Sequence, residues 1–290
     1  MGGDGLLRWT VGDVRITCVV ETSLDDFTAP ALGWDAASLA PCREWAEGPY
    51  LGPADLLRMS VQSFCLEADG LRVVVDTCVG NGRHLPEVPS FHQLDTPFLE
   101  RLAAAGFAPD DVDLVVCTHL HTDHVGWNTL RDPESPGRWL PTFPRARYLM
   151  TQADIDHWRG QSSPYSSFDT SVAPLLEASR VEATPLVHAI SPSLALWPSP
   201  GHTPGHVSVR IASRGATAFV TGDMVHSPLE LACPAHEVRG DHDPAEATRS
   251  RRRMVDEVGG REVLVLGTHF PAPTAGYLIR HEGGWRFGTA

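Results

Sequence analysis

The sequence predicts an αββα sandwich, two packed mixed β-sheets with helices on each outer face. Two observations lead there. A strand-then-helix pattern recurs in two halves of the chain. In both halves, β-rich apolar runs close on imidazole or carboxylate side chains. Residues 112–117 run into Thr118-His119-Leu120-His121-Thr122-Asp123-His124, residues 218–222 into Asp223, and residues 263–268 into His269. Strands ending this way deliver side chains to the carboxyl edge of a sheet, where α/β proteins place their chemistry.

Residues 14–20 alternate weakly and read as a first strand. Residues 21–58 scatter Phe27, Trp34, Trp45 and Tyr50 among Pro, Gly and Ala without a clean period. They read either as an irregular extension outside the sheets or as a lid or dimer arm over the site. Residues 61–67 and 71–75 then pair across Ala68-Asp69-Gly70 as a hairpin. Thr96 caps a helix with Pro97 at its first position, and Gly106 closes it. Asp132-Pro133-Glu134-Ser135-Pro136-Gly137 is a loop and 146–150 a strand. Helical stretches at 153–158 and 172–178 flank a Ser-rich link. Pro244–Val258 is a helix, and its basic run Arg249-Ser250-Arg251-Arg252-Arg253 reads as a solvated face. A final hairpin joins residues 277–281 to 285–287 across Glu282-Gly283-Gly284.

With 290 residues, the chain fits a single domain, 1–290, in which 1–58 is an N-terminal extension. Its 23 basic and 36 acidic residues give a formal charge of −13, which argues against a nucleic-acid enzyme. The six cysteines form no C-x-x-C pair and no disulfide framework. The first nine residues lack a basic-then-apolar leader, and no apolar run approaches the roughly 20 residues that span a bilayer. The expectation is a cytoplasmic protein without membrane or nucleic-acid partners, acting on a small molecule, with a homodimer possible.

The segment from His119 to His124 packs three imidazoles and a carboxylate into six positions. With His at 14 of 290 residues, a shuffled chain gives His-x-His-x-Asp-His with a probability of roughly a few per thousand. Neutral imidazole and carboxylate suit zinc, iron or manganese. Further ligand candidates are His202, in a turn-rich stretch after residues 194–197, Asp223 and His269. His206 reads as a buried, hydrogen-bonded histidine.

Together with Asp76 after residues 73–75, this motif order resembles the metallo-β-lactamase superfamily of hydrolases over about residues 61–287. The resemblance implies that fold and two divalent ions, zinc first, with iron or manganese as alternatives. It assigns His119, His121 and His202 to one metal, and Asp123, His124 and His269 to the second, with Asp223 bridging. Asp76 would orient a ligand histidine; the plainer alternative is a strand-end turn Asp. It further implies attack by a metal-bridging hydroxide on a small neutral ester, a lactone first, with Asp123 as a candidate proton shuttle.

Departures narrow the branch. True β-lactamases of the superfamily generally carry Cys or Ser where Asp223 stands. Glyoxalase-type thioesterases carry a helical C-terminal domain where a hairpin is read here, and the redox members lack a motif histidine. Quorum-quenching lactonases place a donor Tyr three positions after the bridging Asp, where this chain has His226. That histidine reads as a substrate donor, or else as a surface or packing residue. An organophosphate triesterase or arylesterase on the same site is the alternative function, and a non-hydrolytic metal or redox protein the third.

Overall fold

A computed structural model describes residues 6–24, 27–135 and 137–289. The first sheet has the order β1 (Leu7–Val11), β2 (Val14–Leu24), β3 (Met59–Ala68), β4 (Leu71–Val75), β5 (Leu114–Val116), β8 (Arg147–Thr151) and β9 (Val181–Thr184). β6 (Thr129–Arg131) and β7 (Trp139–Pro141) pair separately as a small ribbon. The second sheet runs β10 (His188–Ala189), β11 (Leu194–Pro198), β12 (Val207–Ser213), β13 (Ala216–Val220), β14 (Val263–Leu266), β15 (Ala275–His281) and β16 (Gly284–Thr289).

Each sheet is mixed, as expected. β1 to β4 form an antiparallel meander, whereas β4, β5, β8 and β9 are parallel. In the second sheet only β13 and β14 are parallel. Parallel neighbours need long crossovers, and these carry the helices: α2 (Phe98–Ala104), α3 (Thr122–Val125), α4 (Gln152–Trp158), α5 (Ala173–Glu177), α6 (Pro228–Ala232) and α7 (Pro244–Val258). Another helix, α1 (Ala36–Ala46), precedes β3.

Period-two alternation explains the layering, because successive strand residues face opposite ways. Phe64, Val73, Val75 and Val116 join Val209, Ala218, Val220 and Leu266 in a core between the sheets. Their neighbours Cys65, Val74, Val115, Phe219 and Val265 face outward and pack with Phe98, Leu102, Met254 and Val258 of the helices. Strands apolar on both faces must be covered on both faces, which is the αββα arrangement.

Both predicted hairpins form, on turns with positive φ at Asp69 and Gly70 and at Glu282 and Gly283, the backbone two-residue hairpins require. Three expectations change. Residues 21–58 are less irregular than their spacing suggests: β2 runs on to Leu24, and α1 lies on a capping box between Asp35 and Ser38. Asp25 and Asp26, like residues 1–5 and Pro136, lie outside the described residues. Thr96 does not cap α2. Its hydroxyl instead donates to Glu21, a buried carboxylate that also receives the indole N–H of Trp127. The basic run of α7 is only partly a solvated face, since Arg251 is completely buried. Its spacing from Ala247, Met254 and Val258 places it on the helix's inward stripe.

The topology sets the carboxyl ends of β4, β5, β13 and β14, and the loop after β11, at one end of the sandwich. Asp76, His119, Asp223, His269 and His202 all stem from there.

Candidate metal centre

The four strand-end segments bring seven predicted ligand residues into two adjoining groups. In the first, His119 Nε2 and His202 Nε2 lie 3.0 and 2.9 Å from His121 Nδ1, and 3.7 and 3.6 Å from Asp223 Oδ2. In the second, His124 Nε2 and His269 Nε2 lie 3.2 and 3.1 Å from Asp223 Oδ1, and 3.7 and 3.5 Å from Asp123 Oδ2. Asp223 therefore turns one oxygen to each group. Spacings near 3 to 3.7 Å match the edges of a tetrahedron whose donors stand about 2.1 Å from a central ion.

Each histidine that points Nε2 inward has its Nδ1 engaged behind. His269 Nδ1 donates to the carbonyl of Ser60 at 2.8 Å. His124 Nδ1 lies 2.9 Å from Asp76 Oδ2, and His202 Nδ1 lies 3.1 Å from Asp241 Oδ1. The Thr118 hydroxyl is 3.1 Å from His119 Nδ1 and donates to Asp76 Oδ2 at 2.8 Å, so it accepts from the ring. With Nδ1 carrying the proton, each Nε2 presents a lone pair to the centre, the arrangement metal-binding imidazoles need. Asp76 also accepts the Thr118 N–H at 2.7 Å, so one carboxylate fixes both the turn and a ring.

His206 holds the other side. It is wholly buried, donates from Nδ1 to the Ser199 carbonyl, and accepts the Asp223 N–H at Nε2. Gly222 makes this approach feasible: its φ is +56°, and a Cβ there would stand 2.6 Å from the His206 ring.

Charge agrees with geometry at the first group, and at the second the carboxylates compete with a cation for the rings. Burial pulls His119 and His121 well below the ordinary imidazole value and takes His202 and His206 to about 3. Neutral imidazole is the ligating form. Burial acts the same way on His124 and His269, but nearby carboxylates, Asp223 first, outweigh it and raise both. Asp223 is held well below the carboxylate range despite its burial, because the imidazoles of His124, His269 and their neighbours surround it. His124 Nε2 and Asp223 Oδ1 are buried without a hydrogen-bond partner. Two facing polar atoms of this kind are costly unless something bridges them. Divalent cations fit that demand and the donor set.

His226 faces the same space. Its Nε2 stands 3.5 Å from Asp223 Oδ2, and its Nδ1 stands 3.6 Å from Glu230 Oε1. Burial opposes its protonation, but the carboxylates of Asp223 and Glu230 push its pKa well above the usual value. Glu230 also accepts the His226 backbone N–H.

Sequence reasoning missed Glu230, Asp241 and Asp154. Glu230 had a signal: Ser227-Pro228-Leu229-Glu230 has capping-box spacing, and its carboxylate turns back onto the residue before the cap. Asp241 and Asp154 had none, since each acts across loops distant in sequence. Asp154 accepts from Leu120 N, Gly205 N and the Thr203 hydroxyl, tying the two ligand loops together.

A cavity of about 160 Å³ opens over the cluster, walled by Leu24, Phe27, Leu32, Met59 and Phe91, with His226 and Tyr165 at its sides. Parts of the 21–58 and 151–180 segments thus border the centre.

Comparison with known proteins places this architecture. Two curated relatives are Metallo-beta-lactamase domain-containing protein 1 of Mus musculus and an N-acyl homoserine lactonase of a Bacillus species. The first is 30% identical over 60% of this chain and 54% of its own length, the second 26% over 56% and 62%. The chain thus spans between half and two thirds of the length of these two relatives. Among solved structures, hydrolase AbOPH of the beta lactamase superfamily superposes with a TM-score of 0.80 at 21% identity, covering 99% of this chain and 97% of that one. AidC, a dizinc quorum-quenching lactonase, superposes at 0.75 and 18% identity with the same coverage. These two show the shared fold. Residues 58–269 match the Metallo-beta-lactamase superfamily, and the chain belongs to that superfamily of hydrolases.

Proposed function

We propose that this protein is a dinuclear metal-dependent hydrolase of a small neutral ester, with a lactone as its first candidate substrate. One observation carries the reading: Asp223 directs Oδ1 to one ligand group and Oδ2 to the other. His119, His121 and His202 would hold one ion, Asp123, His124 and His269 the second, and Asp223 both. Zinc suits the N/O donors, as iron or manganese would, and zinc is the metal named for the lactonase AidC. Bound there, a divalent pair supplies Lewis acidity and a water acidified to a pKa of about 7.

The chain's own residues do the rest. The apolar wall from Leu24 to Phe91 excludes water and selects an uncharged group. The cavity is smaller than the roughly 300–1,000 Å³ of sites for drug-sized ligands, which favours a compact substrate. His226, backed by Glu230, presents a donor to the reacting or leaving oxygen. The carboxylate of Asp123, at the floor of the cavity, is placed to pass a proton.

A cytoplasmic location is also part of this proposal, supported by six cysteines that are free thiols without a C-x-x-C pair; no described helix is long and apolar enough to cross a membrane. A panel of lactones, aryl esters and phosphotriesters assayed on metal-loaded protein tests the function. Fastest turnover of a lactone supports the reading. Preference for a phosphotriester or aryl ester would replace the substrate class, and no turnover of any would remove the hydrolytic reading.

A further inference from the structure

Two of the six cysteines meet. The sulfurs of Cys42 and Cys233 stand 3.3 Å apart although 191 residues separate them. Of the others, Cys78 has the Ser63 hydroxyl as a neighbour, and Cys117 has the Asn128 amide.

Local structure builds this contact. In α1, Leu39, Cys42 and Ala46 share the buried face, at the three- and four-residue spacing of one helix stripe. Cys42 is only 1% exposed. Cys233 ends α6, with its N–H bonded to the Leu229 carbonyl, and is partly exposed. Cys42 is therefore enclosed, and Cys233 is partly open to solvent.

The joined elements border the metal centre. α6 carries Glu230, the carboxylate behind His226. The segment leading into α1 supplies Phe27 and Leu32 to the cavity wall. Between them the ties are noncovalent: the Leu32 carbonyl accepts the Arg239 N–H at 3.1 Å, and Trp34 stacks on His236 at 3.8 Å.

We propose that Cys42 and Cys233 are an oxidative modification site, a dithiol that closes reversibly to a disulfide and fastens the cavity-wall segment to the helix behind His226. Closing needs the sulfurs to approach by about 1.3 Å, to the 2.03–2.05 Å of an S–S bond. The oxidant is a peroxide. The Cys233 thiolate attacks one peroxide oxygen of hydrogen peroxide, forming S–O as O–O breaks, and the departing hydroxide leaves as water. The Cys42 sulfur then attacks the sulfenic sulfur, forming S–S as S–O breaks, and a second water departs. Two thiols lose two electrons and two protons, and the peroxide becomes two waters. The hydrogen bond from the Cys42 thiol lowers the Cys233 pKa, which favours Cys233 as the attacking thiolate. This inference does not depend on which substrate the metal centre takes.

The test treats the full-length, metal-loaded protein with rising hydrogen peroxide, then counts thiols and maps peptides without reductant. The expected result is loss of two of the six thiols in one step, a single cross-linked peptide pair containing Cys42 and Cys233, and full recovery with dithiothreitol. Cys42→Ser should leave a Cys233 sulfenic acid, trapped by dimedone, with no intramolecular cross-link. Cys42→Ala serves if the hydroxyl is not accommodated. Cys233→Ser should keep Cys42 as a thiol at the same peroxide dose. Over-oxidation of Cys233 beside an intact Cys42 thiol, or first formation of any other pairing, would overturn the proposal.

Discussion

Arg251 and Asp241 form an ion pair of 3.1 Å from which solvent is wholly excluded. The other oxygen of Asp241 faces His202 Nδ1 at 3.1 Å, so the pair ends on a candidate ligand. Burial raises the Asp241 pKa despite the guanidinium beside it. A buried pair of this kind adds little net stability, yet breaking it exposes a lone buried charge to the interior. Its use here is positional: it fixes the ring that presents Nε2 to the centre.

Removing one partner should therefore cost more than removing both. Asp241→Leu alone leaves Arg251 unpaired and is expected to destabilise the fold by about 3–5 kcal/mol. Asp241→Leu with Arg251→Met should recover much of that, measured by denaturant unfolding. Metal affinity should stay about 10–100-fold down in the double variant, because His202 has lost its support. Full recovery of affinity would show that the pair serves the fold alone.

Asp223 gives the second prediction. Protein prepared without chelator should carry close to two divalent ions per chain by elemental analysis, since one carboxylate faces both groups. Asp223→Ala should lose metal and activity together, by at least about 10–100-fold. Asp76→Asn should keep metal but turn over more slowly, through misorientation of His124. A firm stoichiometry of one ion would remove the bridging role.

What the sequence made legible follows its local signals. His119 to His124 lie on one turn after β5, and Asp223 and His269 each end a strand, so short runs announced them. The hairpin at Asp69-Gly70 was equally visible, because its turn chemistry is local. Arg251 was misread because a run of like charges masked the three- and four-residue spacing to Ala247 and Met254. Asp241, Asp154 and the contact of Cys42 with Cys233 could not be read, since each depends on segments brought together only by the packed sheets. The folding of residues 36–46 into α1 was hidden by Pro41 within it and by its weak apolar periodicity.

The third prediction concerns pH. Burial raises the Asp154 carboxyl to about 6, against three donors that favour its ionised form. Unfolded, the same group titrates near 3.9. The folded state then binds the proton more tightly, so the contribution of this group to stability is greatest below about pH 4 and is lost as pH rises through about 6. A shift of about two units corresponds to about 3 kcal/mol. In chelator-stripped protein, the unfolding free energy of the wild type relative to Asp154→Asn should decline across that window. A flat difference would mean Asp154 ionises normally in the fold.

His226 carries the last prediction. Its ring lies beside the Asp223 oxygen that faces the first ligand group, lines the cavity, and is only 12% exposed. It is not needed to complete either ligand group. Glu230 Oε1 and His226 Nδ1 face each other at 3.6 Å, both buried without a hydrogen-bond partner, so the imidazole has a carboxylate in ion-pair range behind it. A histidine so placed can donate to a substrate oxygen as it gains negative charge. His226→Ala should leave metal content unchanged and lower kcat and kcat/KM together, by about 10²–10⁴-fold if it protonates the leaving group. His226→Gln should regain part of the rate if hydrogen donation alone matters. Glu230→Gln should weaken the effect by lowering the ring's pKa, which moves the alkaline limb of the pH–rate profile to lower pH. An unchanged rate in His226→Ala would remove His226 from the chemistry and shift the proton-transfer role to Asp123.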